Sequence, residues 1–249
     1  IGGMVSLNCV LFALISAKIG MWAIPVILVL GFLEGTLTGY VFTALKIPSF
    51  IATFGMKGIF TSIAVLICGG EPIVLSSTMI KSLKMFNATP ILGIKWLYIF
   101  TAIIMLVFLF IQKRTSFGKF VVGIGDSPEA VKYLGVNIPK LKIICYGLSG
   151  LSAAMGSIVL CSRTYAGDHT IGLSYLLLIV AVVIVGGTSL SGGAGGIFNT
   201  LLGATTIAVV RNALQIMQVN VYYHSVVVGI IMIIAVAISL DKKKVLTVK

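Results

Sequence analysis

An all-α bundle of membrane-spanning helices is the fold class this sequence predicts, and three observations carry the expectation. Hydrophobic residues fill 59% of the 249 positions and only 10% are charged, too little charge to cover a water-soluble domain of this size. The mean hydropathy is +1.16. Apolar runs recur along the whole chain, separated by short polar or glycine-rich stretches, as in a polytopic protein. At about 20 residues per crossing plus loops, a single domain covering 1–249 has room for roughly seven or eight spans.

The apolar lengths place these spans at 4–17, 22–45, 48–68, 92–112, 143–161, 173–190, 197–218 and 222–240. Pro48 opens the third, where a proline in the first turn costs no hydrogen bond. Several are short of a full crossing, and the first and sixth abut glycine pairs, Gly2–Gly3 and Gly186–Gly187. Irregular backbone at membrane depth is tolerated where it is buried in protein or lines a cavity, so the breaks point to a transporter-like bundle. A weak internal echo supports this: "VLGFLEGTLTGYVFTALKIPSFIATFG" from Val29 is similar in pattern to "LLGATTIAVVRNALQIMQVNVYYHSVVVG" from Leu201. The chain opens at Ile1 inside an apolar run with no basic leader before it. It therefore reads as lacking a secretory signal peptide and as starting partway through a longer membrane protein.

Lysine and arginine placement sets the orientation. The segment 113–142 carries Lys113, Arg114, Lys119, Lys132, Lys140 and Lys142, and the tail carries Lys242, Lys243, Lys244 and Lys249. Both are expected to be cytoplasmic, and the four spans between them return the chain to the same side. The loop 69–95 and the stretch Arg163 to His169 then face outward together. The formal net charge of +12 is accounted for by such loops, so no nucleic-acid partner is expected. The four cysteines lack metal-ligand spacing and the two histidines lack ligand-spaced companions, so neither a disulfide framework nor a metal site is expected.

The stretch "IVGGTSLSGGAGG", Ile184 to Gly196, holds six glycines in thirteen residues. A phosphate-binding loop needs a lysine that this stretch lacks, and the dinucleotide fingerprint fails at Phe198. The nucleophile elbow fails as well, because "GTSLS" ends in serine. Small residues here instead let the backbone turn and helices approach closely. Gly186, Gly187, Ser189, Gly192 and Gly193 are accordingly hinge candidates. Gly31, Gly35 and Gly39, spaced by four, form a stripe suited to a close helix contact.

The segment 113–142 also contains "DSPEAVKYLGV". Asp126 or Ser127 serves as N-cap, Pro128 takes the first helical position, Glu129 follows in the first turn and Gly135 terminates. This is a short amphipathic helix between glycine-containing turns, either lying on lipid or docking a cytoplasmic partner. Among polar residues inside spans, Glu34 and Arg211 either pair or line a watery path, or else Arg211 snorkels and Glu34 is protonated against Thr36 or Thr38. Asn212 and Gln215 suit either a pathway lining or interhelical hydrogen bonds.

Four stretches, "IPSFIATFG", "RTSFGKFVVGIGDSPEAVKYLGVNIPKLKI", "YGLSGLSAAMGSIV" and "VGGTSLSGGAGGIFNTLLGA", in this order and spacing, resemble the permease subunits of bacterial ribose-type sugar ABC importers. The resemblance covers essentially the whole chain. It implies a bundle of about ten spans, of which about eight are present here, with the first and part of the second missing. It implies a pair of permease subunits, identical or not, around a central pathway in the bacterial cytoplasmic membrane, with the C-terminus cytoplasmic. A cytoplasmic ABC ATPase would drive alternating access, and an extracytoplasmic binding protein would deliver a small polar solute, first of all a monosaccharide such as ribose. ATP and magnesium would be bound by the ATPase, leaving this chain without cofactors or catalytic residues. The docking set would be Gly123, Asp126, Ser127, Pro128, Glu129, Ala130, Leu134 and Gly135. The pathway set would be Glu34, Phe50, Asn212 and Gln215 with the hinge glycines.

The chain departs from that pattern in two places. "MVSLN" follows Gly3 where the family carries "IDLS", and Leu176 and Leu178 stand where it carries an acidic pair. Related permeases handle branched-chain amino acids, nucleosides and autoinducer signals. An ion-coupled secondary transporter is the rival class; it needs intramembrane carboxylates, for which Glu34 is the one clear candidate.

Overall fold

The computed structural model describes residues 1–86, 95–189 and 192–239. Every expected span falls on a helix: α1 (Gly2–Ile19), α2 (Ala23–Leu45), α3 (Ser49–Cys68), α5 (Trp96–Arg114), α8 (Ile138–Thr164), α9 (Ile171–Val185), α10 (Ile197–Ile216) and α11 (Val221–Ser239). Among the described residues, five helical stretches are long and apolar enough to cross a membrane, counting Gly2–Leu45 as one, and α9 is shorter. The basic tail from Asp241 lies outside the described residues, as does the start of the expected span at 92. The chain divides into two compact units, residues 1–104 with 137–176, and residues 105–136 with 177–249.

In the first unit α1 is the central element. Residues 2–10 are all buried. Its two opening glycines are part of the helix and permit contact: a Cβ on Gly2 would lie 2.7 Å from the Gly172 carbonyl oxygen, and one on Gly3 2.6 Å from that of Lys57. Gly20, at φ 58, and a turn of 3-10 helix then reverse the chain, because only glycine enters that region without strain. α2 returns alongside α1, carrying Pro25 in its first turn where no intrahelical donor is lost.

α2 packs antiparallel on α8 through the glycine stripe. A side chain at Gly31 would strike Ala154 and Gly150, one at Gly35 would strike the Tyr146 carbonyl and Gly147, and one at Gly39 would strike Ile143 and Tyr146. The facing helix answers with Gly147 under Phe32 and Thr36, and Gly150 against the Gly31 carbonyl. Backbone-to-backbone contact of this kind replaces the hydrophobic effect, which gives little drive between helices in lipid.

The region 69–86 is more ordered than a loop. β1 (Ile73–Val74) pairs antiparallel with β2 (Ala166–Gly167), and Leu75 N–H extends the pairing to the Tyr165 carbonyl at 3.0 Å. Gly167 fits against the Cys9 carbonyl and the Ala13 methyl. α4 (Ser77–Phe86) follows; Leu75, Met79 and Leu83, four apart, are buried while Lys81 and Lys84 are exposed. The pairing puts the end of α3 and the end of α8 on one side of this unit, as the parity of the spans requires.

The second unit holds the basic segment as far as residue 136, and its remainder opens α8 in the first unit. Glycine-containing turns were expected before the short helix; the structure has α6 (Ser116–Asp126) there. Thr115 caps it, its Oγ1 accepting from Gly118 N–H at 3.3 Å, so Gly118, Gly123 and Gly125 are helical residues. Their role is close packing, which glycine serves inside a helix as well as in a turn. α7 (Pro128–Tyr133) follows at once. Of the two N-cap alternatives the structure selects Ser127, whose Oγ accepts from Ala130 N–H at 3.3 Å. Gly135, at φ 76, ends the segment. α8 starts five residues earlier than its apolar run because Asn137 caps it, Oδ1 accepting from Lys140 N–H at 3.1 Å.

Gly35→Ala is expected to cost about 1–3 kcal/mol by forcing α2 off α8, read as a lower melting temperature in detergent. Gly156→Ala, with nothing within 4 Å of the new methyl, should leave it unchanged. Ser127→Ala should remove about 1 kcal/mol of cap stability and raise hydrogen exchange at Ala130 by roughly five-fold, with α6 unaffected.

Candidate functional site

The first unit contains a polar pair at membrane depth. Asn8, fully buried on α1, donates one amide proton to Met4 O at 2.8 Å and the other to Glu34 Oε2 at 2.7 Å. The contact follows from the hairpin at Gly20, which sets residues 8 and 34 at equal distances from the turn. Both amide protons are spent, and Asn8 Oδ1 has no partner among the described residues. What this pair still offers is acceptor capacity: one amide oxygen and the remaining lone pairs of a half-buried carboxylate. Thr36 and Thr38 direct their hydroxyls to backbone carbonyls, Thr38 to Glu34 O at 2.9 Å, so Asn8 is the side chain in this unit that engages the Glu34 carboxylate.

Phe50 is exposed in the first turn of α3 and stacks on Phe54 at 5.6 Å between ring centroids. Lys57 Nζ lies 5.0 Å over the Phe54 ring, a cation–π arrangement that moderates a charge placed mid-span. At the clasp between β1 and β2, Cys68 Sγ approaches His169 Nδ1 at 3.6 Å, and Asp168 holds Thr170 through its backbone N–H at 2.8 Å. Among the described residues no group of three metal-ligating side chains forms.

In the second unit the docking candidates fall on one protruding feature. Asp126 closes α6, Ser127 caps α7, and Pro128, Glu129, Ala130 and Leu134 are exposed. Tyr133 beside them is 90% exposed, and Val131 alone in α7 is buried. Val131 lies against Gly123, whose Cβ would sit 3.1 Å from its Cγ2. The glycine stretch 186–196 links α9 and α10, and its described residues, 186–189 and 192–196, make contacts of their own. Ser189 N–H bonds to Ala194 O at 3.0 Å and Gly192 N–H to Ser189 O at 3.2 Å. Gly192 (φ 92), Gly193 (φ 77) and Gly195 (φ 122) hold conformations that favour glycine. Gly192 and Gly193 seat Gly125, and Gly193 also meets Asp126.

Gly186 meets the Asn199 carbonyl. Gly187, at φ 79 with nothing within 4 Å of a Cβ, is the one hinge candidate that stands clear. Asn212 and Gln215 are exposed on one face of α10.

Three residues that the sequence reading passed over belong to these clusters. Asn8 was signalled by an amide inside an apolar run, and Lys57 by a cation mid-span. Gln112, whose Oε1 accepts from Ile197 N–H at 2.9 Å, had no local signal, because its partner lies 85 positions away. A cleft of about 510 Å³ opens beside it, lined by Lys113, Lys119 and Asn199 among others, so both ammonium groups reach water.

The chain is 31% identical over 214 residues to the ribose import permease protein RbsC of Haemophilus influenzae, covering 86% of this chain and 66% of that protein. It is 34% identical to the Bacillus subtilis ribose import permease protein RbsC, covering 83% and 63%. With the Escherichia coli L-arabinose transport system permease protein AraH it shares 30% identity over 83% and 62%. The chain thus spans about two thirds of the length of these relatives. No solved structure gives a significant match. The family model described as branched-chain amino acid transport system / permease component matches residues 1–236. With its apolar helices, this makes the chain a multi-pass membrane protein that belongs to that permease family.

Proposed function

We propose that this chain is the translocation subunit of an ATP-driven importer for a small polar solute, a monosaccharide of the ribose kind before any other. The observation that carries the reading is the similarity, at 30–34% identity, to permeases named for ribose and L-arabinose import. Two physical features agree with it. α7 projects an aromatic, Tyr133, and an aliphatic, Leu134, into solvent beside Glu129 and Lys132. An exposed aromatic with a charged rim is the composition of a protein-binding hot spot. Glu34 and Asn8 present acceptors at membrane depth, where ionisable groups mark solute paths, and sugar hydroxyls are donors that such acceptors bind.

The ATPase docks on α7 from the cytoplasm, binds ATP and magnesium, and hydrolyses the nucleotide; this chain performs no chemistry of its own. A second permease subunit completes the pathway, and a binding protein delivers solute from outside, where the β1–β2 clasp and α4 lie. The membrane is the bacterial cytoplasmic membrane, with the C-terminus on its inner side. An ion-coupled carrier is less well supported, since Glu34 is the sole carboxylate within the described parts of the long apolar helices.

Affinity purification of the chain from its native membrane in mild detergent should bring down an ABC ATPase; recovery without one would count against the reading. Tyr133→Asp is expected to lower ATPase retention about ten-fold or more. Charge reversal by Glu129→Lys, or Gly135→Pro, should uncouple ATP hydrolysis from uptake, and unchanged uptake of radiolabelled ribose would argue against docking through 127–134. Glu34→Leu should depress uptake by roughly ten-fold, the cost of one lost charged hydrogen-bond acceptor, with Glu34→Gln retaining more.

A further inference from the structure

We infer that Gln112 and Gly125 are positioning residues for transport, fixing the docking segment and the start of α10 as one mechanical block within the second unit. A push on α7 then displaces the α10 span directly. The inference rests on the reading of the chain as an ATP-driven importer subunit.

The block is built from contacts at both ends of α6. At its start, Gln112 on α5 is gripped from two sides. Gly118 lies against the Gln112 backbone carbonyl, and the Gln112 side chain accepts from Ile197 N–H at 2.9 Å. Ile197 is the first residue of α10, so this bond satisfies one of the donors a helix leaves open at its N-terminus. A Cβ on Gly196 would lie only 2.8 Å from Gln112 Nε2. At the far end of α6, the Gly125 backbone touches those of Gly192 and Gly193, and Asp126 abuts Gly193. α7 adds the last link, with Val131 seated on Gly123.

These are contacts between backbones, or between a side chain and a backbone donor, made beside the open cleft that Gln112 and Gly196 also line. Here Ser189 N–H bonds to Ala194 O and Gly192 N–H to Ser189 O, while Gly187, its N–H on Ile184 O, has open space only where a Cβ would lie. The described residues from Gly192 to the start of α10 therefore travel with α6 and α7.

The test uses the complex purified with its ATPase and a thiol reporter placed by Ile216→Cys, at the exposed far end of α10. Its labelling rate by a membrane-impermeant maleimide is compared without nucleotide and after trapping with ATP and vanadate. The expected result is a rate difference of about five-fold or more that collapses to below about two-fold in Gln112→Leu. ATPase binding and hydrolysis should persist in that variant. Gln112→Glu, which keeps the acceptor oxygen, should restore the difference. Gly125→Ala, a separate lesion at the other end of α6, should lose it as well and carries the test if Gln112→Leu expresses poorly. A reporter rate identical in both nucleotide states, or a full response in Gln112→Leu or Gly125→Ala, overturns the inference while leaving the importer reading intact. Absence of a bound ATPase defeats that reading and the inference with it.

Discussion

Close approach of backbones at α2 and α8 is the constraint on which the first unit depends. In lipid the apolar side chains of two helices gain little by touching each other, so adhesion has to come from packing density and polar contacts. Gly31 meets Gly150, Gly35 meets Gly147, and Gly39 meets Ile143 and Tyr146, with no room for a methyl group. Once those helices are locked, the hairpin at Gly20 lays α1 beside α2 and brings Asn8 to Glu34. β2, leaving the end of α8, is held over α1 through Gly167.

The second unit uses the same device for a different end. Gly186 and Gly203 let α9 and α10 touch, Gly203 lying on the Val182 carbonyl. Gly125 meets Gly192 and Gly193, which joins a soluble feature to the connection between two membrane helices. Glycine thus joins span to span in one unit, and α6 to the connection between α9 and α10 in the other. The two uses differ in what lies beyond the contact: a neighbouring span, or a capped helix projecting into water.

Much of this was legible in the sequence, and the exceptions have physical causes. Span positions follow from apolar length, and the stripe 31–35–39 from its spacing of four; both read directly because each depends on local sequence alone. The cap, narrowed to Asp126 or Ser127, and the stop at Gly135 were legible for the same reason. α6 was missed because Gly118, Gly123 and Gly125 suggest turns, whereas tertiary contact pays back their low helix propensity. α4 was missed because its buried spacing, Leu75, Met79 and Leu83, is short and interrupted by lysines. Gln112 and the β1–β2 pairing join residues about ninety positions apart, which no pattern of neighbours encodes. Glycine content signals conformational freedom, but contacts decide where it is used: Gly186, Gly192 and Gly193 are packed against neighbouring atoms, whereas a Cβ at Gly187 would meet nothing within 4 Å.

The burial of α1 on every side over residues 2–10 has an evolutionary corollary. A helix facing lipid is selected for oiliness and tolerates changes of volume, since lipid chains flow around whatever is there. A helix enclosed by protein is selected for fit, and oiliness is secondary. That is how Ser6, Asn8 and Cys9 sit together in a segment that counts as a membrane span. Substitutions along this stretch should be filtered by size rather than by polarity, the reverse of the rule for the exposed faces of α2 and α3.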